Sequence, residues 1–149
     1  MVYVFLLNNF ELVEALATVD ILKRAKIEVT TVSITEEKGV NSSSQVRDLA
    51  DKMLSECDFK HAEAVVLPGG PGVFAALECQ SLCDLLVSRY ENKELIGAIC
   101  AAPAVLSKLG IKVASTVYPT LANEIEKYVD EHVVRDGHVI TGRSMGHSI

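Results

Sequence analysis

No stretch of the sequence reaches the roughly 18 consecutive apolar residues that a membrane-spanning helix needs. No basic stripe is present either. The 14 lysines and arginines are outnumbered by 20 acidic residues, for a formal charge of −6, so nucleic acid and anionic membrane surfaces are not expected partners. Nine glycines and four prolines without a repeating period exclude a collagen-like chain. The opening residues 1–7 carry no basic segment ahead of them and break at Asn8-Asn9, so they read as a buried strand rather than a signal peptide. The four cysteines, Cys57, Cys79, Cys83 and Cys100, match no zinc or CxxC spacing. Without an export signal, a reducing cytoplasm and free thiols are the expectation.

What is present is apolar content: 49% of the 149 residues are apolar and 23% charged. That describes one globular domain over residues 1–149, large enough to build a core without staples. Residues 2–7 form a continuous apolar run, as expected of a strand covered on both faces. Leu12, Ala15, Leu16, Val19, Ile21, Leu22 and Ala25 follow at helical spacing, closed by Lys23 and Arg24. Residues 27–33 are rich in β-branched side chains and predict a second strand. Strand, helix and strand within 33 residues make a right-handed βαβ unit and imply a parallel sheet. Further strands are predicted at 64–67, 95–99 and 112–117, and helices at 75–90 and 101–109, the last stopped by Gly110. Asp136-Gly137 between two apolar runs is a hairpin signal. The pattern predicts an α/β sandwich with helices on both faces of a mainly parallel sheet.

Ligands in such sheets bind beyond the carboxyl ends of the strands. Three predicted strand ends carry unusual residues: Asn8-Asn9 with Glu11 and Glu14 after it, Pro68-Gly69-Gly70, and Cys100-Ala101-Ala102-Pro103. A cysteine at a strand-to-helix turn has the setting of a nucleophile elbow. The helix start is expected to favour thiolate over thiol, and backbone N–H groups at Gly69-Gly70 and Ala101 could stabilise an oxyanion. The other reading of Cys100 is a small buried hydrophobe. Cys57, Cys79 and Cys83 lack this setting and read as packing or surface thiols. Glu11 reads as a solvated helix carboxylate. Glu14 lies on the inward stripe with Leu12, Ala15 and Leu16, where burial would raise its pKa. His61, His132, His138 and His147 fall at expected surface or hairpin positions.

Leu67-Pro68-Gly69-Gly70, Ala98-Ile99-Cys100-Ala101-Ala102-Pro103, and the segment from Phe10 to Ala25 with Glu11, Glu14 and Asp20 together resemble the ThiJ/PfpI family, in its protein-deglycase branch. The likeness is collinear over nearly the whole chain. It implies a flavodoxin-like three-layer sandwich of the class I glutamine amidotransferase-like kind, usually a homodimer. It implies Cys100 as the reactive cysteine, Glu14 as a protonated carboxyl touching it, and Gly70 and Ala101 as the oxyanion-binding backbone groups. No cofactor or metal is implied.

The sequence departs from the family at three places. The protease-like branch has histidine directly after the cysteine, where Ala101 stands here, so hydrolysis by a Cys-His pair is disfavoured. Tyr118-Pro119 stands where the deglycase branch has histidine before the proline, so no imidazole base is in view. Family members also run on into a final apolar helix where this sequence reaches Ile149. Without that cover, the strands near 112–117 and 138–141 are expected to lack apolar cover. The activity the resemblance implies is that of a deglycase or glyoxalase acting on 2-oxoaldehydes such as methylglyoxal, or on glycated protein. The competing class is a redox-sensing or chaperone-like protein whose Cys100 is oxidised to sulfinate. An amidotransferase-like hydrolase would need a Cys-His pair that no motif supplies.

Overall fold

The protein is described from a computed structural model, which describes residues 1–147. The side chain of His147 and the last two residues lie outside the described part, so the expectations for the chain's end and for His147 are not addressed there. Seven strands make one sheet in the order β5-β2-β1-β6-β7-β9-β8, with β1 Val2–Leu6, β2 Val29–Ser33, β5 Lys52–Met53, β6 Ala64–Leu67, β7 Leu95–Ile99, β8 Val133–Asp136 and β9 Val139–Gly142. Every pairing in it is parallel except β8 with β9. A separate antiparallel pair joins β3 (Gly39–Asn41) to β4 (Arg47–Leu49). Among the described residues three α-helices pack with the sheet: α1 (Leu12–Arg24), α2 (Gln80–Glu91) and α3 (Ala102–Lys108). This is the flavodoxin-like sandwich.

The alternation of side chains along the central strands sets the layers. Phe5, Leu7, Val65, Leu67, Ile96, Ala98 and Val139 face one way and pack with α2, α3 and a 3-10 segment, Val73–Glu78. Val4, Leu6 and Val66 face the other way, toward Ala15 and Val19 of α1. Because β1, β6 and β7 are lined with apolar side chains on both faces, they read as unbroken apolar runs in the sequence. On the α1 side, a trough of about 360 Å³ opens between Thr18 and Leu22 of α1 and Val66, Gly97 and Ile140 of the sheet. Among the described residues no helix is long and apolar enough to cross a membrane.

Three expectations are corrected. Residues 112–117 are not a strand: β9 is already flanked by β7 and β8, so no ladder position beside it is left for them. Their N–H groups go elsewhere, from Ala114 to Asp136 Oδ2 (2.7 Å), from Ser115 to Lys127 O (3.0 Å) and from Thr116 to Thr141 Oγ1 (3.0 Å). Val113 and Val117 are nonetheless buried, while an apolar trough stays open at Val66, Gly97 and Ile140. The helix predicted at 75–90 is interrupted at Cys79, whose extended backbone (φ −95°, ψ 94°) separates the 3-10 segment from α2. The Asp-Gly hairpin forms, with Asp136 paired to Val139 and Gly137 at φ 60°.

Candidate active site

Three segments converge at the carboxyl ends of β1, β6 and β7. After β1 the chain runs through Asn8 and Asn9 to Glu11, the N-cap of α1. After β6 it turns through Gly69 and Gly70, the latter at φ 109°, a conformation that glycine adopts without penalty. A Cβ on Gly70 would sit 2.5 Å from both Asn9 O and Glu11 N, so no larger residue fits. After β7 comes Cys100, held at φ 62° in the left-handed region that costs a non-glycine residue about 1–2 kcal/mol. The surroundings enforce that turn. The Cys100 N–H donates to Gly142 O at 2.9 Å, and the Cys100 carbonyl accepts from Tyr118 N–H at 2.7 Å. Ala102 then opens α3, with Pro103 in its first turn.

Glu14 is buried, 1% exposed, on the first turn of α1. Its Oε1 accepts from Gly69 N–H at 2.9 Å, and that oxygen and Cys100 Cβ flank the same point at Gly69, which sets the carboxyl beside the Cys100 side chain. Burial is the main cause that lifts the Glu14 pKa to about 7; the Gly69 and Cys100 hydrogen bonds pull the other way. The Cys100 thiol, half-buried, is pushed up to about 12, by burial first and then by the charge and hydrogen bond of Glu14. The Ala101 N–H at the sulfur lowers it, without offsetting the rest. The expectation that the helix start favours the thiolate is therefore overturned. α3 has only seven residues, and a buried carboxyl outweighs its end. The two groups act as one coupled acid. Below about pH 7 the pair holds two protons and is neutral. Above it, the carboxyl carries the negative charge beside a thiol that keeps its proton.

The structure thus brings Glu14, Cys100, Gly70 and Ala101 to one place. Gly69 joins them, because a Cβ there would lie 2.7 Å from Cys100 Cβ and 2.8 Å from Glu14 Oε1. Its N–H is spent on Glu14. The Gly70 N–H has no acceptor among the described residues. His61, His132 and His138 are exposed. Among the described residues no group of three or more His, Cys, Asp or Glu side chains is placed to hold a metal. Glu11 was missed by reading it as a solvated carboxylate. It is a half-buried N-cap whose Oε2 accepts from Glu14 N–H at 2.8 Å. Its position three residues before Glu14 at a loop-to-helix junction was the available signal.

The model of the DJ-1/PfpI family matches residues 1–149. Protein dj-1beta of Drosophila melanogaster is 38% identical over 150 residues, covering 96% of this chain and 80% of that protein. Glutathione-independent glyoxalase DJR-1.2 of Caenorhabditis elegans is 32% identical over 144 residues, covering 93% of this chain and 77% of that protein. A crystal structure of a DJ-1 superfamily protein from Salmonella typhimurium superposes with a TM-score of 0.92 at 34% identity, over 99% of this chain and 83% of the other. The match to the family model over residues 1–149, with DJ-1 proteins among the relatives, places the chain in the DJ-1/PfpI family.

Proposed function

We propose that this protein converts 2-oxoaldehydes such as methylglyoxal, or their adducts on proteins, to hydroxy acids without glutathione, with Cys100 as nucleophile and Glu14 as proton carrier. The observation that carries the reading is the buried Glu14 carboxyl set beside an elbow cysteine at φ 62°, with Glu14 Oε1 and Cys100 Cβ flanking Gly69. In the reacting form the Cys100 proton has passed to the Glu14 carboxylate, which leaves the charge on sulfur. The sulfur attacks the aldehyde carbon, a C–S bond forms, and the carbonyl π electrons move to oxygen. The Gly70 and Ala101 N–H groups hold that oxyanion. Glu14 gives it the proton and is left as a carboxylate, now a base beside the same carbon. It removes the C–H proton there and returns it to the neighbouring ketone carbon, while the new hydroxyl gives its proton to the former ketone oxygen, leaving a 2-hydroxy thioester. Water cleaves the thioester to the hydroxy acid and the thiol. The sum is substrate plus one water, with no external oxidant.

The similarity to a glutathione-independent glyoxalase supports the same reaction class. The competing role, oxidation of Cys100 to sulfinate without turnover, would use the same Cys100–Glu14 pair, and turnover of methylglyoxal separates the two readings. The test is lactate formation from methylglyoxal in glutathione-free buffer. The native protein should turn over and Cys100→Ala should not. Equal rates for the two would overturn the proposal.

A further inference from the structure

Glu11 closes a ring of three hydrogen bonds with the residues that hold the reactive pair. Its N–H donates to Gly69 O at 2.9 Å, Gly69 N–H donates to Glu14 Oε1 at 2.9 Å, and Glu14 N–H donates to Glu11 Oε2 at 2.8 Å. Each of the three residues gives one N–H and accepts one. The ring ties the first turn of α1 to the turn after β6, and the Glu14 carboxyl is the member that touches sulfur. Glutamate is a poor choice for capping alone, since Ser, Thr, Asp and Asn do that better. Its longer side chain brings something a serine would not: a second carboxylate close enough to act on both Glu14 and Cys100.

We propose that Glu11 is a positioning residue for the Cys100–Glu14 pair, fixing the Glu14 carboxyl against the sulfur through the ring it closes with Gly69. This rests on the reading of Cys100 and Glu14 as the working pair. Two consequences follow. Breaking the ring at Glu11 frees the Glu14 backbone N–H and lets the carboxyl drift from the sulfur. Removing only the Glu11 charge leaves the ring but makes the pair's first ionisation easier, because one negative neighbour is gone. Among the described residues, the titratable groups acting on Glu14 are Cys100 from the elbow and Glu11 from the helix start. Those acting on Cys100 are Glu14 and Glu11. The turn after β6 contributes backbone only.

The experiment uses Glu11→Gln, which keeps an acceptor oxygen but no charge, Glu11→Asp, which keeps charge and capping, and Glu11→Ala, which keeps neither. Each is read by the pH dependence of iodoacetamide alkylation at Cys100, mapped by peptide mass, by kcat/KM for methylglyoxal, and by thermal melting. Glu11→Gln should fold and show its alkylation midpoint at lower pH than the native protein. Glu11→Asp should keep the native midpoint. Glu11→Ala should lose about tenfold in kcat/KM, as expected for a modest misplacement of a reacting group. A Glu11→Ala protein with native kcat/KM and a native alkylation profile, or variants that lose only melting temperature, would overturn the proposal, because a cap alone would do that. The alkylation profile needs no turnover, so it tests Glu11 even if methylglyoxal is not a substrate.

Discussion

Replacing Gly69 by alanine puts one methyl group into the centre of the site. Built on the present backbone, that methyl would lie 2.7 Å from Cys100 Cβ, 2.8 Å from Glu14 Oε1 and 2.8 Å from Ile99 O. None of the three can give way freely. Ile99 O is backbone of a central strand, the Cys100 backbone is fixed by Gly142 O and Tyr118 N–H, and Glu14 is buried and bonded to Gly69 itself. Overpacking of this kind costs about 1–3 kcal/mol. At about 2–4 °C per kcal/mol for a domain of this size, the melting temperature should fall by about 2–12 °C. Relief requires Glu14 to move from the sulfur, and a displacement near 1 Å costs on the order of 100-fold in rate. Gly97→Ala is the control, since its methyl would meet Val66 Cγ2 at an ordinary 3.5 Å beside the open trough. Thermal melts and methylglyoxal kinetics on both variants decide the matter. A Gly69→Ala protein with native melting temperature and native kcat/KM would show that the three segments do not meet as described.

The raised Glu14 pKa also sets a sign for stability. From its ordinary value of 4.5 to about 7, the folded protein keeps a proton that the unfolded chain has lost, so stability falls as pH rises through that window. The span is worth about 3 kcal/mol at 1.4 kcal/mol per unit. The native melting temperature should therefore drop between pH 5 and pH 8. Glu14→Gln, which accepts the Gly69 N–H without ionising, should show little of that slope, melt higher than native at pH 8, and lose turnover. Parallel melting curves for the two proteins across this range would refute the burial of Glu14 as the cause.

Much of this was open to inspection in the sequence because the relevant physics is local. The apolar runs of β1, β6 and β7, the glycines after β6 and the cysteine before Pro103 each announce a two-sided buried strand or a turn. Glu14 stands out as a carboxylate on an apolar stripe. What escaped depends on partners distant in sequence. Residues 112–117 have the composition of a strand, yet the only ladder positions beside β9 are taken, and side chains of Asp136 and Thr141 satisfy their N–H groups instead. The state of Cys100 was misjudged because a helix start is visible in sequence, whereas desolvation and a carboxyl brought from 86 residues upstream are not. Glu11 looked solvated because its acceptor role exists only once Glu14 N–H and Gly69 O are in place. The break at Cys79 leaves no mark in the apolar periodicity on either side of it.

The central claim is that Cys100 and Glu14 ionise as one pair. The measurement that tests it most directly is the pH dependence of kcat/KM for methylglyoxal in the native protein, followed from pH 5 to pH 10. Below the pair's first ionisation no charge is available to sulfur, so the rate should rise with one proton released and a midpoint near the Glu14 value of about 7. It should then stay level, because the second proton leaves only near 12. A rise centred at about 8.5, where an isolated thiol ionises, would mean that Cys100 titrates independently of Glu14, and the account of the site would be wrong.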